Sequence, residues 1–354
     1  MIDVVKLARM VLAFAVFLAI SWTSARAQQI APPPPPGQPQ QNQQNPNSAA
    51  QQKEPPKIVS TTGLVHLVAT VMDRHHNFIT DLEQSDFKVM EDGTPQEIRF
   101  FGRDTDLPLR IGLLLDTSNS IRPRLEFEQD AAIDFLSSVL RRNKDQAFLM
   151  TFDNEPEVIQ DFTGDVSELT SAIRKQRAGG GTALNDAIYR ASEKLINPPS
   201  PAGQNVEVRR VLVVISDGDD NLSDHALSEA LEAAMRAEVS IYAISTNTDW
   251  ISIDNPDRPT KYHYDPGDKI LQQFTDASGG RTFFPYKVDD LAQSFVDIGT
   301  ELRSQYFIAY SPTNALSNGQ YRKIEIEAGH KGLIVRTRKG YYANAPASSS
   351  PSSK

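Results

Sequence analysis

From Pro108 onward, short β-branched or leucine-rich runs alternate with stretches of helical spacing, and no other feature of the sequence limits the fold as much. The runs cover 109–115, 146–152, 210–215, 239–245 and 281–284; the helical stretches cover 124–140, 165–175, 182–196, 223–237, 268–277 and 288–303. When a helix carries the chain from one strand back to the next, the strands run parallel and the helices cover both faces of the sheet. The spacing therefore predicts a doubly wound α/β domain over 108–304 with a mainly parallel sheet.

On either side the period changes to two. In the segment 58–105, Val65, Leu67, Ala69 and Val71 alternate with their neighbours. Asp86-Phe87-Lys88-Val89-Met90 and Gln96-Glu97-Ile98-Arg99-Phe100-Phe101 are then separated by an Asp92-Gly93 hairpin signal. In 305–342 the runs 306–310, 321–327 and 333–338 are joined by Ser317-Asn318-Gly319 and Gly329-His330-Lys331-Gly332. Each segment alone is too small for a good core, so the expectation is one discontinuous β-sandwich into which the α/β domain is inserted. Two separate β appendages are the alternative.

The two ends of the chain are polar or processed. Lys6 and Arg9 precede an apolar run over 10–20, and Ala25-Arg26-Ala27 supplies the small residues of a cleavage site, so 1–27 reads as a secretory signal peptide. The run is shorter than the roughly 20 residues that cross a bilayer, and no membrane span is expected after cleavage. Residues 28–57 are rich in Pro, Gln and Asn and read as a solvated linker; 343–354 reads as a tail without structure. There is no cysteine, which excludes disulfide scaffolds, thiolate metal sites, thiol nucleophiles and a lipid-modified cysteine after the signal. A net charge of −9 without a basic block argues against a nucleic-acid partner. An exported protein, periplasmic or extracellular, is expected.

In an open doubly wound sheet, ligands bind at the carboxyl ends of the strands. The first strand runs into Asp116-Thr117-Ser118-Asn119-Ser120 and the third into Ser216-Asp217-Gly218-Asp219-Asp220, while Gly179-Gly180-Gly181-Thr182 lies between them. Asp116, Ser118, Ser120, Thr182 and Asp217 bring two carboxylates and three hydroxyls to one rim. Such hard oxygen donors suit Mg²⁺, Ca²⁺ or Mn²⁺. With only two formal charges among the ligands, the ion would still accept an anionic oxygen from outside.

The order Asp116-x-Ser118-x-Ser120, then Thr182, then Asp217-Gly218, resembles the metal-ion-dependent adhesion site of von Willebrand factor A domains. The likeness covers about 108–304. It implies that Ser118, Ser120 and Thr182 contribute hydroxyls and that Asp116 and Asp217 hold a divalent cation, Mg²⁺ above Ca²⁺ or Mn²⁺, directly or through water. It further implies a non-enzymatic, adhesion-type module that binds an Asp or Glu of a protein partner. Asn119 stands where many members have Gly, and a left-handed backbone is expected there. The segments Asp86-Phe87-Lys88-Val89, Glu91-Asp92-Gly93 and Gln96-Glu97-Ile98, with the ending Arg338-Lys339-Gly340-Tyr341-Tyr342-Ala343, resemble secreted proteins of the VWFA-related Acidobacterial type.

Other readings compete. Leu114-Leu115-Asp116-Thr117-Ser118 is similar to an aspartic-protease strand, but here the Asp is followed by a helix. No Gly-x-Ser-x-Gly elbow is present for a serine hydrolase. Asp116 and Ser118 would also serve as a helix N-cap, which needs neither Thr182 nor Asp217. A metal-assisted hydrolase would need a base from Asp219, Asp220 or His225, and an envelope scaffold with a structural metal is a third class. The His75-His76 pair and His263 read as turn and loop residues. The long polar stretch 247–266 carries Trp250, Tyr262 and Tyr264 and offers either an interface or packing.

Overall fold

Val65, Leu67, Ala69 and Val71 all lie buried on strand β1 (Val65–Met72), as their alternation requires. A computed structural model describes residues 63–103, 107–196, 198, 207–247, 265–285, 288–315, 317–329 and 332–343. The signal-peptide, linker and tail expectations, and most of 247–266 with its aromatic residues, lie outside these. After β1 come β2 (Phe87–Glu91), β3 (Thr94–Gln96) and β4 (Ile98–Arg103). The run expected as one strand over 96–101 is thus divided at Glu97. Gln96 ends the hairpin partner of β2, around the turn at Asp92 and Gly93, and Ile98 begins a strand of another sheet.

The middle of the chain is β5 (Leu109–Asp116), α1 (Leu125–Val139), β6 (Gln146–Phe152), β7 (Pro156–Thr163), α2 (Val166–Arg174), α3 (Leu184–Ile196), β8 (Arg209–Ser216), α4 (Leu227–Arg236), β9 (Ser240–Ser245), α5 (Pro266–Ser278), β10 (Thr282–Phe283) and α6 (Val288–Leu302). The sheet order is β10-β9-β8-β5-β6-β7. All neighbours are parallel except β7, which pairs antiparallel with β6 at the edge. Central β5 is buried along its whole length, as a strand covered on both faces must be. Helices α1, α2 and α6 pack Phe135, Leu136, Ile173, Phe295 and Ile298 on one face. Helices α3, α4 and α5 pack Ile188, Leu195, Ala234, Leu271 and Phe274 on the other. The architecture is doubly wound α/β with additional antiparallel sheets.

The chain closes with β11 (Tyr306–Tyr310), β12 (Tyr321–Ala328), β13 (Ile334–Arg336) and β14 (Gly340–Tyr342). These interleave with the first four strands in two sheets, β13-β1-β11-β4 and β14-β12-β2-β3. Their facing residues, among them Leu67, Val89, Ile98, Ile308, Ile324 and Tyr341, share one core. The two flanking segments therefore build one sandwich and not two appendages. The α/β domain is inserted between neighbouring strands, since Arg103 at the end of β4 pairs with Tyr306 at the start of β11.

A buried carboxylate ties the two sheets of the sandwich. Glu91 on β2 pairs with Arg322 at 3.0 Å and accepts from the hydroxyls of Tyr310 at 2.6 Å and Tyr341 at 2.9 Å. Burial and Glu91 push the Tyr341 hydroxyl up to about 12, so it stays a donor. The sandwich meets the α/β domain through a second buried set. Glu301 on α6 accepts from Thr70 at 3.1 Å and Tyr242 at 2.9 Å and pairs with Arg336. Close by, His66 pairs with Glu207 at 3.2 Å, and Glu238 is paired with Arg338 at 3.0 Å and with Arg210 at 3.6 Å.

Candidate metal centre

Strand β5 leads to α1 on one face, and its neighbour β8 leads to α4 on the other. The chain thus leaves adjacent strand ends in opposite directions and opens a crevice there. Asp116 is the last residue of β5, and Asp217 directly follows β8.

Hydrogen bonds connect the loops into one set. Asp116 Oδ1 accepts from the Ser118 amide at 2.8 Å and Oδ2 from the Ser216 hydroxyl at 2.7 Å. The Ser118 and Ser120 hydroxyls lie 2.9 Å apart, and Ser120 Oγ donates to Asp217 Oδ2 at 2.7 Å. Four of the five sequence-predicted residues are joined in this way. Thr182 is held beside them by its backbone, and its hydroxyl makes no hydrogen bond to the other four. Asn221 clamps it, accepting from the Thr182 amide and donating to its carbonyl, both at 3.0 Å. The glycine loop is fixed to the first loop by Gly179 N to Thr117 O at 2.7 Å and by Asn119 N to Gly180 O at 3.3 Å.

Asn119 does not take the left-handed conformation expected of it. It opens a 3₁₀ turn over Asn119–Ile121, and its side chain accepts from Arg122 Nη2 at 2.9 Å. The capping reading of Asp116 and Ser118 fails as well. Arg124 is the N-cap of α1, and Ser118, before the 3₁₀ turn, makes no side-chain cap bond. Helix α3 starts at Leu184 and α4 at Leu227, each a few residues later than the spacing predicts, because the residues ahead of them serve the loops.

Asp217 is pinned from behind. Its carbonyl accepts from Asn247 Nδ2 at 2.7 Å, and Asn247 also donates to buried Asp268 at 3.0 Å. Gly218 follows with φ +80, and a Cβ there would lie 2.2 Å from the Gly267 carbonyl oxygen at the start of α5. Only glycine meets both conditions.

The electrostatics are those of crowded acids. Asp116 is fully buried, and burial, then the charge of Asp217, pushes its carboxyl up to about 6. Asp219 is raised by burial, then by Asp217 and Asp265. Sequence reasoning missed two members of the neighbourhood. Ser216 is the last residue of β8 and bonds Asp116. Glu128 on the first turn of α1 is 1% exposed, with neither carboxylate oxygen hydrogen-bonded. Two carboxylates at neighbouring strand ends, with three hydroxyls and, among the described residues, no cationic side chain bonded to either acid, form a donor set that fits a divalent cation.

The alternative bases are mostly engaged elsewhere. Asp220 accepts from the amides of Asn185 at 2.8 Å and Ser223 at 3.1 Å. His225 lies 2.7 Å from Asp186 and stacks on Tyr189. His75 and His76 sit in a turn closed by Asp73, as expected. Among the described residues, His66, Glu207 and Glu238 also bring ligand atoms within 4.8 Å of one another. Arg338 and Arg210 already neutralise that group, which makes it an ion-pair cluster at the sandwich junction.

Residues 111–219 match the model of the von Willebrand factor type A domain. The stretch runs from β5 through Asp217 and holds every predicted ligand. Among solved structures, the chain is similar to BatB from Bacteroides thetaiotaomicron, at 17% identity and a TM-score of 0.40 over 54% of this chain and 99% of that one. It is also similar to proximal thread matrix protein 1 from the mussel byssus, with a zinc-occupied MIDAS motif, at 16% identity and 0.44 over 60% and 50%. A third likeness is the vWF domain of the type V pili tip protein Mfa5 from Porphyromonas gingivalis, at 14% and 0.41 over 55% and 94%. None of these likenesses bears on a ligand or a partner. The search of curated proteins gives no match.

Proposed function

Because residues 111–219 match the model of the von Willebrand factor type A domain, we propose that the protein is a divalent-cation-dependent protein-binding module without catalytic activity. Asp116, Ser118, Ser120, Thr182 and Asp217 would hold the ion, with Mg²⁺ the first choice and Ca²⁺ or Mn²⁺ the alternatives. A bound cation supplies Lewis acidity toward one further oxygen. The chain's own residues orient that position: Ser216 and the Ser118 amide fix Asp116, Asn247 fixes the Asp217 backbone, and Asn221 fixes Thr182. A partner's Asp or Glu suits the position, since the ion's ligands carry only two formal charges.

The observation that carries the reading is the hydrogen-bonded chain from Ser118 through Ser120 to Asp217, which sets oxygens from two strand ends side by side. A non-enzymatic role is supported by the engagement of Asp220 and His225 in other contacts. Export belongs to the proposal and is supported by the signal-like pattern of residues 1–27. Among the described residues no helix is long and apolar enough to cross a membrane. The resemblance of the flanking segments to the secreted Acidobacterial type belongs to this proposal too.

Calorimetric Mg²⁺ titration beside a pull-down from the native exported fraction, run with Mg²⁺ and then with chelator, tests the proposal. One bound ion and chelator-sensitive capture are expected. Capture that persists in chelator would overturn it.

A further inference from the structure

Helix α1 presents a buried stripe of Leu125, Glu128, Ala132, Phe135 and Val139, spaced by three or four residues. Four of the five are apolar. Glu128 interrupts the stripe with a carboxylate that is 1% exposed and has no hydrogen bond at either oxygen. Buried acids are rare unless paired, because the charged form loses its water. Arg124, one turn earlier, spends Nη2 on the Ser120 carbonyl at 3.4 Å and leaves Nη1 buried and unbonded. Packing alone does not account for this side chain, since a leucine would complete the stripe.

The electrostatic surroundings say what it faces. Burial pushes the Glu128 carboxyl up to about 8; Arg124 opposes this, and the charges of Asp116 and Asp217 add to it. The geometry agrees: Arg124, one turn before Glu128, reaches the backbone of Ser120, whose hydroxyl donates to Asp217, so the turn that carries Glu128 adjoins the candidate ion site. We propose that Glu128 is a third acidic residue of the ion site, lending its charge to the bound cation without ligating it.

This rests on the reading that Asp116 and Asp217 hold an ion. A divalent cation at their oxygens cancels the repulsion they exert on Glu128. The ionised Glu128 and the cation then stabilise each other without touching. The site has an effective charge of three where the strand-end loops alone supply two.

The test compares Glu128→Gln with the unaltered full chain in titrations of Mg²⁺ and of Tb³⁺ at pH 8. Coulomb attraction scales with ion charge, so a loss of about tenfold for Mg²⁺ goes with a loss of about thirtyfold for Tb³⁺. A residue that merely shapes the site would weaken both ions by the same factor, and that result overturns the proposal, as does unchanged affinity. Glu126→Gln, on the exposed side of the same turn, changes either affinity less than about twofold. Glu128→Met removes the charge at similar length and gives the same pair of losses should the Gln variant not fold. If the unaltered chain and Asp116→Ala alike bind neither ion, the ion-site reading itself has failed. If only the Glu128 variants match the unaltered chain, this proposal alone has failed.

Discussion

The Ser120 hydroxyl donates to Asp217 Oδ2 across 2.7 Å, joining residues 97 positions apart. The two loops leave neighbouring strands toward opposite faces of the sheet, so this bond holds the mouth of the crevice at a set width. The oxygens of Ser118, Ser120 and Asp217 are thereby held side by side, the arrangement a preorganised ion site requires.

Asp116→Ala removes a proposed ligand without removing a packing element. The Ser118 amide and Ser216 hydroxyl lose their acceptor, a cost of about 1–3 kcal/mol, while a carboxyl that burial holds near 6 is relieved. The variant is expected to fold and to give no Mg²⁺ binding heat. Thr182→Ala, which loses one neutral ligand, should weaken binding roughly tenfold. Calorimetry with circular dichroism on both variants checks the order, and Mg²⁺ binding retained by Asp116→Ala would contradict it.

Gly218→Ala should destabilise the α/β domain by at least about 2 kcal/mol, through a positive φ and an overlap with the Gly267 carbonyl. Because the change adjoins Asp217, ion affinity should fall with it. Urea denaturation gives the first quantity and titration the second. A variant as stable as the parent would mean that α5 does not press on this turn.

His66 predicts a pH effect at the sandwich junction. Burial lowers its proton affinity, but Glu207 and Glu238 more than offset this against Arg338, so the folded value lies above the usual 6.5. A raised value means that the stabilisation is present below about pH 6.5 and is lost as pH climbs through the folded value. Arg210 also faces this group through Glu238. Thermal midpoints taken from about pH 6 to pH 9 should decline in the parent, and His66→Gln should remove that part of the decline.

Glu91→Ala leaves Arg322 buried without its partner and the Tyr310 and Tyr341 hydroxyls without their acceptor. A loss of about 3–5 kcal/mol is expected. Chemical denaturation followed by tyrosine fluorescence checks it; a loss below about 1 kcal/mol would show that the sheets do not depend on this cluster.

Much of this was legible in the sequence because it follows periodicity. Strand β6 occupies the expected 146–152, and Asp116 and Asp217 stand at strand ends because the apolar runs stop there. Strand β7 was missed, since an edge strand of Glu157, Gln160 and Asp161 has only one half-covered face and no apolar alternation to display. The left-handed expectation for Asn119 transferred a glycine's geometry to a residue whose side chain bonds Arg122 instead. Glu128 left a signal that went unread: it lies three residues after Leu125 and four before Ala132, on the apolar stripe of its own helix.

The pairing of Arg103 with Tyr306 constrains the order in which the chain can fold. Strands β1 and β4 are synthesised early, yet both border β11, whose residues follow some two hundred others. Those early strands stay unpaired until the whole inserted domain has been made, and a domain that folds first brings the distant ends together and shortens the effective loop. The sandwich is therefore expected to form last, with its rate set by how well the α/β domain has already placed residues 107 and 305.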